Sequence, residues 1–331
     1  MKIMIYGLRR DEGPHAARYS EKFGWEVKSC HDILQESTAH LAEGCDAVMI
    51  SVSCHVDAAA AKILQRAGVK YLLTRSAGID HIDVDTVLSL GIKIANVPAY
   101  SPNAVSEHTV MMTLEILRNM REQQRRVGQM DFSIEGMCGR EIHNLTTGII
   151  GTGRIGTATV QNFSGFGGKL YAYDLYPSDL VAQYAEYLPL EEVYARSDIL
   201  IFLCPLTEQT RHMVDRKAIQ QMKGGVVLVN TSRGELFDWE AVRDGLKEGK
   251  IGGLAFDVIE GERPFIRKNM EDTPFEHPIF KELLSMPRTL YTAHAAFYTD
   301  EAVENMVGIA FMNLNEFLTT GDCKNKVTKG D

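Results

Sequence analysis

TTGIIGTGRIG, residues 146–156, is an apolar run that ends in Gly151, Gly153 and Gly156 at the spacing GxGxxG. The spacing alone is a weak signal, and its flanks make it specific. A β-branched run leads into the glycines, the helix-compatible TATVQNFSGFG follows them, and the next apolar run, KLYAYD (169–174), ends in Asp174. Each part has a task in holding a dinucleotide. Gly151 makes the tight turn, Gly153 lets a pyrophosphate approach the backbone, and Gly156 lets helix and strand pack closely. The phosphates then meet N–H groups at the helix N-terminus. Asp174 accepts hydrogen bonds from the adenosine ribose and repels a 2′-phosphate, which favours NAD over NADP. A Rossmann unit is therefore expected here.

On either side, short β-branched runs alternate with longer amphipathic stretches, the pattern of parallel sheets covered by helices. One series comprises residues 2–6, 25–30, 46–51, 70–74 and 93–97; the other comprises 146–150, 169–174, 198–204, 225–230, 253–258 and 289–293. A long helical segment from about 102 to 130 separates them, and a last helix over 299–318 has no strand after it. The expected class is α/β with two doubly wound parallel-sheet domains. The first domain is discontinuous, 1–100 and 299–331, with a Rossmann domain, 101–298, inserted between its parts. The final KNKVTKGD reads as frayed.

At 331 residues and 45% hydrophobic, the chain is large enough for two cores. A net charge of -9 argues against nucleic-acid and membrane-surface partners, which need a basic face. Cys30, Cys45, Cys54, Cys138, Cys204 and Cys323 are scattered without CxxC or metal-ligand spacing, so no metal is expected and the thiols read as reduced, in a cytoplasmic protein. No apolar run approaches membrane-span length.

Three loops behind strands of the second series carry chemistry. NTSRGELFD holds Arg233, AFDVIEGERP holds Asp257, Glu260 and Glu262, and LYTAHAAFYT holds His294. All follow the C-terminal ends of strands, where open α/β sheets bind ligands. Singly, each is more often a surface charge or a structural histidine; together, an arginine, a carboxylate and a histidine behind successive strands make chance the weaker reading. His81 and His108 are set aside, because each leads into helix-like sequence on the wrong side of its domain.

These stretches, with RSAGIDHID, NVPAYSPNAVSEH and CPLTEQTRHMV, resemble the D-2-hydroxyacid dehydrogenase family over essentially the whole chain. The branch resembled contains D-lactate, (R)-2-hydroxyisocaproate, phenyllactate and (R)-2-hydroxyglutarate dehydrogenases. The resemblance implies a flavodoxin-like substrate domain, NAD as cofactor, a small 2-keto or 2-hydroxy acid as substrate, and a homodimer. It makes His294 the acid/base, Glu262 its carboxylate partner and Arg233 the substrate-binding cation. Glu262 is chosen over Glu260 by the family's spacing of five residues after the strand-end aspartate, here Asp257. Around the dinucleotide it places Arg154 and Ile155 at the pyrophosphate, Cys204, Pro205 and Thr210 along the nucleotide, Thr231, Ser232 and Arg233 at the nicotinamide, and Asp257 at the carboxamide. Around the substrate it places the backbone of Ala77 and Gly78, the side chain of Tyr100, and the aromatic pair Phe297 and Tyr298 after the histidine. Ser51 falls where the substrate's side chain is met, and its small size leaves room for bulky acids. Two rivals share the scaffold: a formate- or phosphite-type dehydrogenase, of which the formate enzymes pair the histidine with glutamine, and an NAD-sensing corepressor-like binding protein.

Overall fold

Runs rich in Val, Ile and Leu become strands buried on both faces, as parallel sheets require. The computed structural model describes residues 1–330 and separates into two compact units, one formed by Met1–Ser101 with the chain from Tyr298 onward, the other by Pro102–Phe297. In the first unit β1 (Lys2–Ile5), β2 (Glu26–Ser29), β3 (Ala47–Ile50), β4 (Tyr71–Thr74) and β5 (Lys93–Ala95) form an all-parallel sheet in the order β2-β1-β3-β4-β5. This is the flavodoxin-like order. The helices α1 (Gly13–Phe23), α2 (Ala58–Arg66) and α3 (Val84–Ser89) alternate with the strands. Ala60, Ala61 and Leu64 of α2 and Val87 of α3 share a buried core with Val48, Ile50 and Leu72 of the sheet.

The second unit opens with α4 (Pro102–Leu117) and α5 (Met120–Gly128). It continues as β6 (Thr146–Ile150), α6 (Arg154–Ser164), β7 (Lys169–Tyr173), α7 (Asp179–Ala182), β8 (Glu186–Tyr187), α8 (Leu190–Arg196) and β9 (Ile199–Phe202). It closes with α9 (Arg216–Gln221), β10 (Val226–Asn230), α10 (Trp239–Lys247), β11 (Ile251–Phe256), α11 (Pro278–Ser285) and β12 (Thr289–Tyr291). Its seven strands are parallel in the order β12-β11-β10-β9-β6-β7-β8. The chain winds outward from β6 through β7 and β8, then restarts at β9 on the other side of β6. That reversal opens a crevice at the C-terminal ends of β6 and β9, the place where doubly wound sheets take dinucleotides.

After the second unit the chain returns to the first as α12 (Asp300–Thr320), capped by Thr299, whose hydroxyl accepts the N–H of Ala302 at 3.3 Å. α12 covers the remaining sheet face, where Tyr19, Phe23, Trp25 and Phe311 stack with ring centroids 4.6–6.5 Å apart. Gly308 admits Tyr19, since a Cβ there would stand 2.4 Å from the tyrosine hydroxyl.

Two expectations need correction, and one strand was not foreseen. The helical segment over 102–130 is two helices, broken where Asn119 turns to a left-handed φ of 52°. The edge strand β8 has only two residues, too short to show periodicity. The terminal KNKVTKGD is not frayed through its first residues: Lys326 bridges Ala95, the Val327 N–H donates to Ile94 at 2.9 Å, and Val327 is buried. Among the described residues no helix is long and apolar enough to cross a membrane, and no group of three or more His, Cys, Asp or Glu side chains could hold a metal.

Candidate active site

The glycine loop joins β6 to α6 at the crevice. Gly151 has a φ of 93°, and a Cβ there would lie 2.4 Å from the backbone nitrogen of Cys204, in the loop after β9. A Cβ on Gly156 would fall 2.0 Å from the carbonyl oxygen of Gly151, so only glycine lets α6 start this close to the strand. Gly153 differs, because nothing lies within 4 Å of its Cβ position. A side chain would fit the protein there and stand in the way of a phosphate instead. Gly153 is the N-cap of α6 and offers no side-chain bond, and the N-terminal end of the helix, with Arg154 and Ile155, lies at this loop. This cradle fits a pyrophosphate.

Asp174 follows β7, and its carboxylate grips the loop. Oδ2 accepts the backbone N–H of Thr152 at 2.5 Å and its hydroxyl at 3.0 Å, while Oδ1 accepts the N–H of Tyr176 at 2.9 Å. It therefore also braces the turn, a second task absent from the sequence reading. On the far side of the crevice Cys204 is buried, which pushes its thiol up to about 12, so it packs as a neutral group. Its carbonyl accepts the Ser232 hydroxyl at 2.7 Å, tying the loops after β9 and β10. The exposed Pro205 starts a loop closed on itself by Thr210, whose hydroxyl donates to the Pro205 carbonyl at 2.8 Å.

Because β10, β11 and β12 are neighbours, the loops behind them lie side by side. Asn230 shapes the first: its side-chain amide donates to the Arg233 carbonyl at 2.8 Å and accepts the Ser232 N–H at 3.0 Å. Thr231 is buried and shares a hydrogen bond of 2.8 Å with Thr109 of α4. Arg233 is half-buried, with one Nη1–H on the Ser232 carbonyl at 2.9 Å. The next residue, Gly234, abuts the second loop so closely that a Cβ would lie 2.1 Å from the carbonyl carbon of Ile259. The loops of Arg233 and Glu262 are thereby locked together.

His294 Nδ1 stands 2.6 Å from Glu262 Oε1, and Glu262 Oε2 accepts the N–H of Ile259 at 3.0 Å. Glu260 is engaged elsewhere, with Arg211 at 3.3 Å and His212 at 2.8 Å. Spacing and geometry choose the same carboxylate. With Nδ1–H given to Glu262, Nε2 is the nitrogen left to exchange a proton. The backbone of His294 is left-handed, φ 51°, which histidine tolerates only when held. Asp257 holds it: its carbonyl accepts the His294 N–H at 2.8 Å, and its carboxylate accepts the N–H groups of Ala295 at 2.8 Å and Ala296 at 3.0 Å. Phe297 follows, buried, with the Arg267 guanidinium 4.6 Å from its ring centroid.

The sequence reading set His108 aside as lying on the wrong side of its domain, and the structure corrects this. His108, on α4, has Nε2 3.0 Å from the Thr292 hydroxyl and 3.7 Å from Asp257. Thr292 carried no signal of its own; it is one residue past β12 and two before His294. His81 lies in the first unit, buried and bonded to Thr74 at 3.1 Å.

The other substrate candidates lie in the first unit. Ser51 follows β3 and is buried, 3.9 Å from the Cys54 sulfur. Ser76 fixes the turn of Ala77 and Gly78 through a bond of 2.8 Å to the Gly78 carbonyl, and Asn96 donates to the Ala77 carbonyl at 2.8 Å. The Tyr100 carbonyl accepts from Asn305 at 2.7 Å. Tyr298 is exposed, with the Arg9 guanidinium 5.5 Å from its ring centroid. Reading the sequence missed the cations at this end of the sheet, Arg9 and the buried Arg75, which share the fully buried Glu12 at 3.3 and 3.1 Å.

A parallel sheet with a switch-point loop shaped for a dinucleotide, next to a histidine oriented by a carboxylate, defines a nicotinamide-dependent oxidoreductase. Residues 110–296 match the family model of the D-isomer specific 2-hydroxyacid dehydrogenase, NAD binding domain. The chain is 42% identical over 327 residues to an aromatic 2-oxoacid reductase of Clostridium sporogenes, covering 98% of this chain and 99% of that protein. It is 35% identical over 328 residues to a D-lactate dehydrogenase of Escherichia coli, covering 99% and 100%. A solved structure of D-2-hydroxyisocaproate dehydrogenase superposes with a TM-score of 0.89 at 34% identity, covering 99% of this chain and 100% of that one. The protein belongs to the D-isomer specific 2-hydroxyacid dehydrogenases, and it is an NAD-dependent oxidoreductase of that family.

Proposed function

We propose that the enzyme reduces a bulky, above all aromatic, 2-oxoacid to the (R)-2-hydroxy acid, with Arg233, Glu262 and His294 as its catalytic residues. The observation that carries this reading is the 2.6 Å bond from His294 Nδ1 to Glu262, which leaves Nε2 to serve the substrate oxygen. Held at the Gly151–Gly156 loop and Asp174, NADH would supply the hydride to C2 of the substrate. Arg233 holds the substrate carboxylate with its planar fork of donors. As charge grows on the carbonyl oxygen, His294 passes its Nε2 proton to it, and in the reverse direction neutral Nε2 takes the hydroxyl proton. Glu262 keeps the ring in the orientation and tautomer this needs. The backbone N–H groups of Ala77 and Gly78 and the side chain of Tyr100 are the first unit's ligands for the carboxylate. Ser51, Phe297 and Tyr298 meet the substrate's side chain.

Arg154, Ile155, Pro205, Thr210, Thr231, Ser232 and Asp257 belong to the cofactor surface in the same reading. The preference for aromatic acids is supported by the small Ser51 and by the likeness to the aromatic 2-oxoacid reductase. A cytoplasmic homodimer is supported by six free cysteines and by exposed apolar side chains along α4, α5 and the loop beyond, with Met111, Leu114, Val127, Met130, Phe132 and Ile134 open to cover by a second copy.

The test is a kinetic panel with NADH: phenylpyruvate, 4-methyl-2-oxopentanoate, pyruvate and 2-oxoglutarate, with formate and phosphite assayed against NAD. Phenylpyruvate is expected to give the highest kcat/KM. Pyruvate in first place would move the enzyme to the lactate type, and turnover of formate or phosphite alone would overturn the reading.

Cofactor choice gives a separate expectation. Asp174→Ala should weaken NADH binding through both the lost ribose contact and the loosened Thr152 turn, and should narrow the gap to NADPH because the repulsion of a 2′-phosphate is gone. Equal losses for both cofactors would leave Asp174 with the bracing task alone.

A further inference from the structure

A threonine hydroxyl has one proton to donate, and at Thr292 two neighbours compete for it. Its oxygen lies 2.5 Å from Asp257 Oδ1 and 3.0 Å from His108 Nε2. An ionised carboxylate only accepts, so the hydroxyl proton points to Asp257 and the oxygen must accept from His108. His108 therefore carries its proton on Nε2. Burial holds its pKa below the ordinary histidine value against the opposing pull of Asp257 and Glu115, which keeps the ring neutral at neutral pH. The donors run in one direction, from His108 on α4 to Thr292 to Asp257.

Asp257 is 1% exposed; the oxygen that accepts from Thr292, Oδ1, also accepts the Ala295 N–H, and Oδ2 accepts the Ala296 N–H. Those two residues follow His294 directly, and the left-handed backbone at His294 persists only while its surroundings over-determine it. Whatever fixes the Asp257 rotamer therefore fixes where His294 stands. The alternative partner of the Thr292 hydroxyl is the sulfur of Met112 at 3.6 Å, a weak acceptor that would turn the hydroxyl away from Asp257.

We propose that His108 is a positioning residue of the reaction, acting through the Thr292 hydroxyl to hold Asp257 and hence the turn that presents His294. The proposal rests on His294 being the acid/base, so His294→Gln is the control. His108→Leu removes the donor, whereas His108→Gln returns a neutral side-chain N–H to it. Thr292→Val breaks the link at its middle.

The readouts are kcat and KM for phenylpyruvate reduction and NADH affinity by fluorescence. In His108→Leu, kcat is expected to fall about tenfold or more, the scale of a displaced catalytic group, with KM for phenylpyruvate changed by less than about threefold and NADH affinity, which Asp257 also serves in the proposed reading, falling less than kcat does. His108→Gln should recover most of the loss. Thr292→Val should reproduce it, and the double variant His108→Leu/Thr292→Val should lose no more than either single one, since both break the same string. A leucine variant as fast as the parent, a glutamine variant as slow as the leucine one, or losses that multiply in the double variant would each overturn the proposal. If those results come with an inactive His294→Gln, only the role of His108 fails; if His294→Gln is as active as the parent, the reading of the whole site fails with it.

Discussion

His294→Gln is expected to lower kcat for 2-oxoacid reduction by roughly 10²- to 10⁴-fold, the range that a positioned acid/base contributes. Glutamine keeps about the length of the side chain and an N–H that can reach Glu262, so the loops after β11 and β12 should keep their packing. What it lacks is a group that can alternate between donor and acceptor toward the substrate oxygen. NADH affinity should change little, because the dinucleotide cradle is built at Gly151, Gly153, Gly156 and Asp174, behind other strands. A large loss of NADH affinity in parallel with kcat would indicate a collapsed site instead.

Arg233→Lys is expected to lower kcat/KM for the 2-oxoacid by about 10- to 10²-fold. Lysine preserves the charge but replaces a planar fork by a single ammonium. One charge-assisted hydrogen bond contributes about 1.5–3 kcal/mol, and each 1.4 kcal/mol is a factor of ten. The backbone of the loop should hold in the variant, because Asn230 grips it through the Arg233 carbonyl and the Ser232 N–H, neither of which depends on the side chain. Equal losses for substrate and cofactor would point to damage to the turn.

Much of this architecture was legible along the chain because strands buried on both faces are written as unbroken apolar runs. TTGII became β6 over the same five residues, and the other ten expected runs became strands with shifts only at their ends. The three loops behind β10, β11 and β12 stood out as candidates for chemistry because charged residues directly after such runs have few structural tasks. The choice of Glu262 over Glu260 needed the spacing of a known family; two carboxylates two residues apart look alike until the chain turns Glu260 toward Arg211 and His212. Residues coupled across long separations left no trace. His108 and Thr292 are 184 positions apart, and nothing in SEHTV or LYTAH says that α4 lays the one against the other. The break at Asn119 was equally hidden, since the helical pattern resumes at once in α5.

The most direct measurement is the configuration of the alcohol formed from phenylpyruvate and NADH, resolved by chiral chromatography. In the proposed reading Arg233 and His294 hold the carboxylate and the carbonyl oxygen in a fixed order, so one face of C2 receives the hydride and the product should be (R)-phenyllactate alone. The (S)-isomer or a racemate from enzyme-dependent turnover would contradict the placement of these two residues on the substrate.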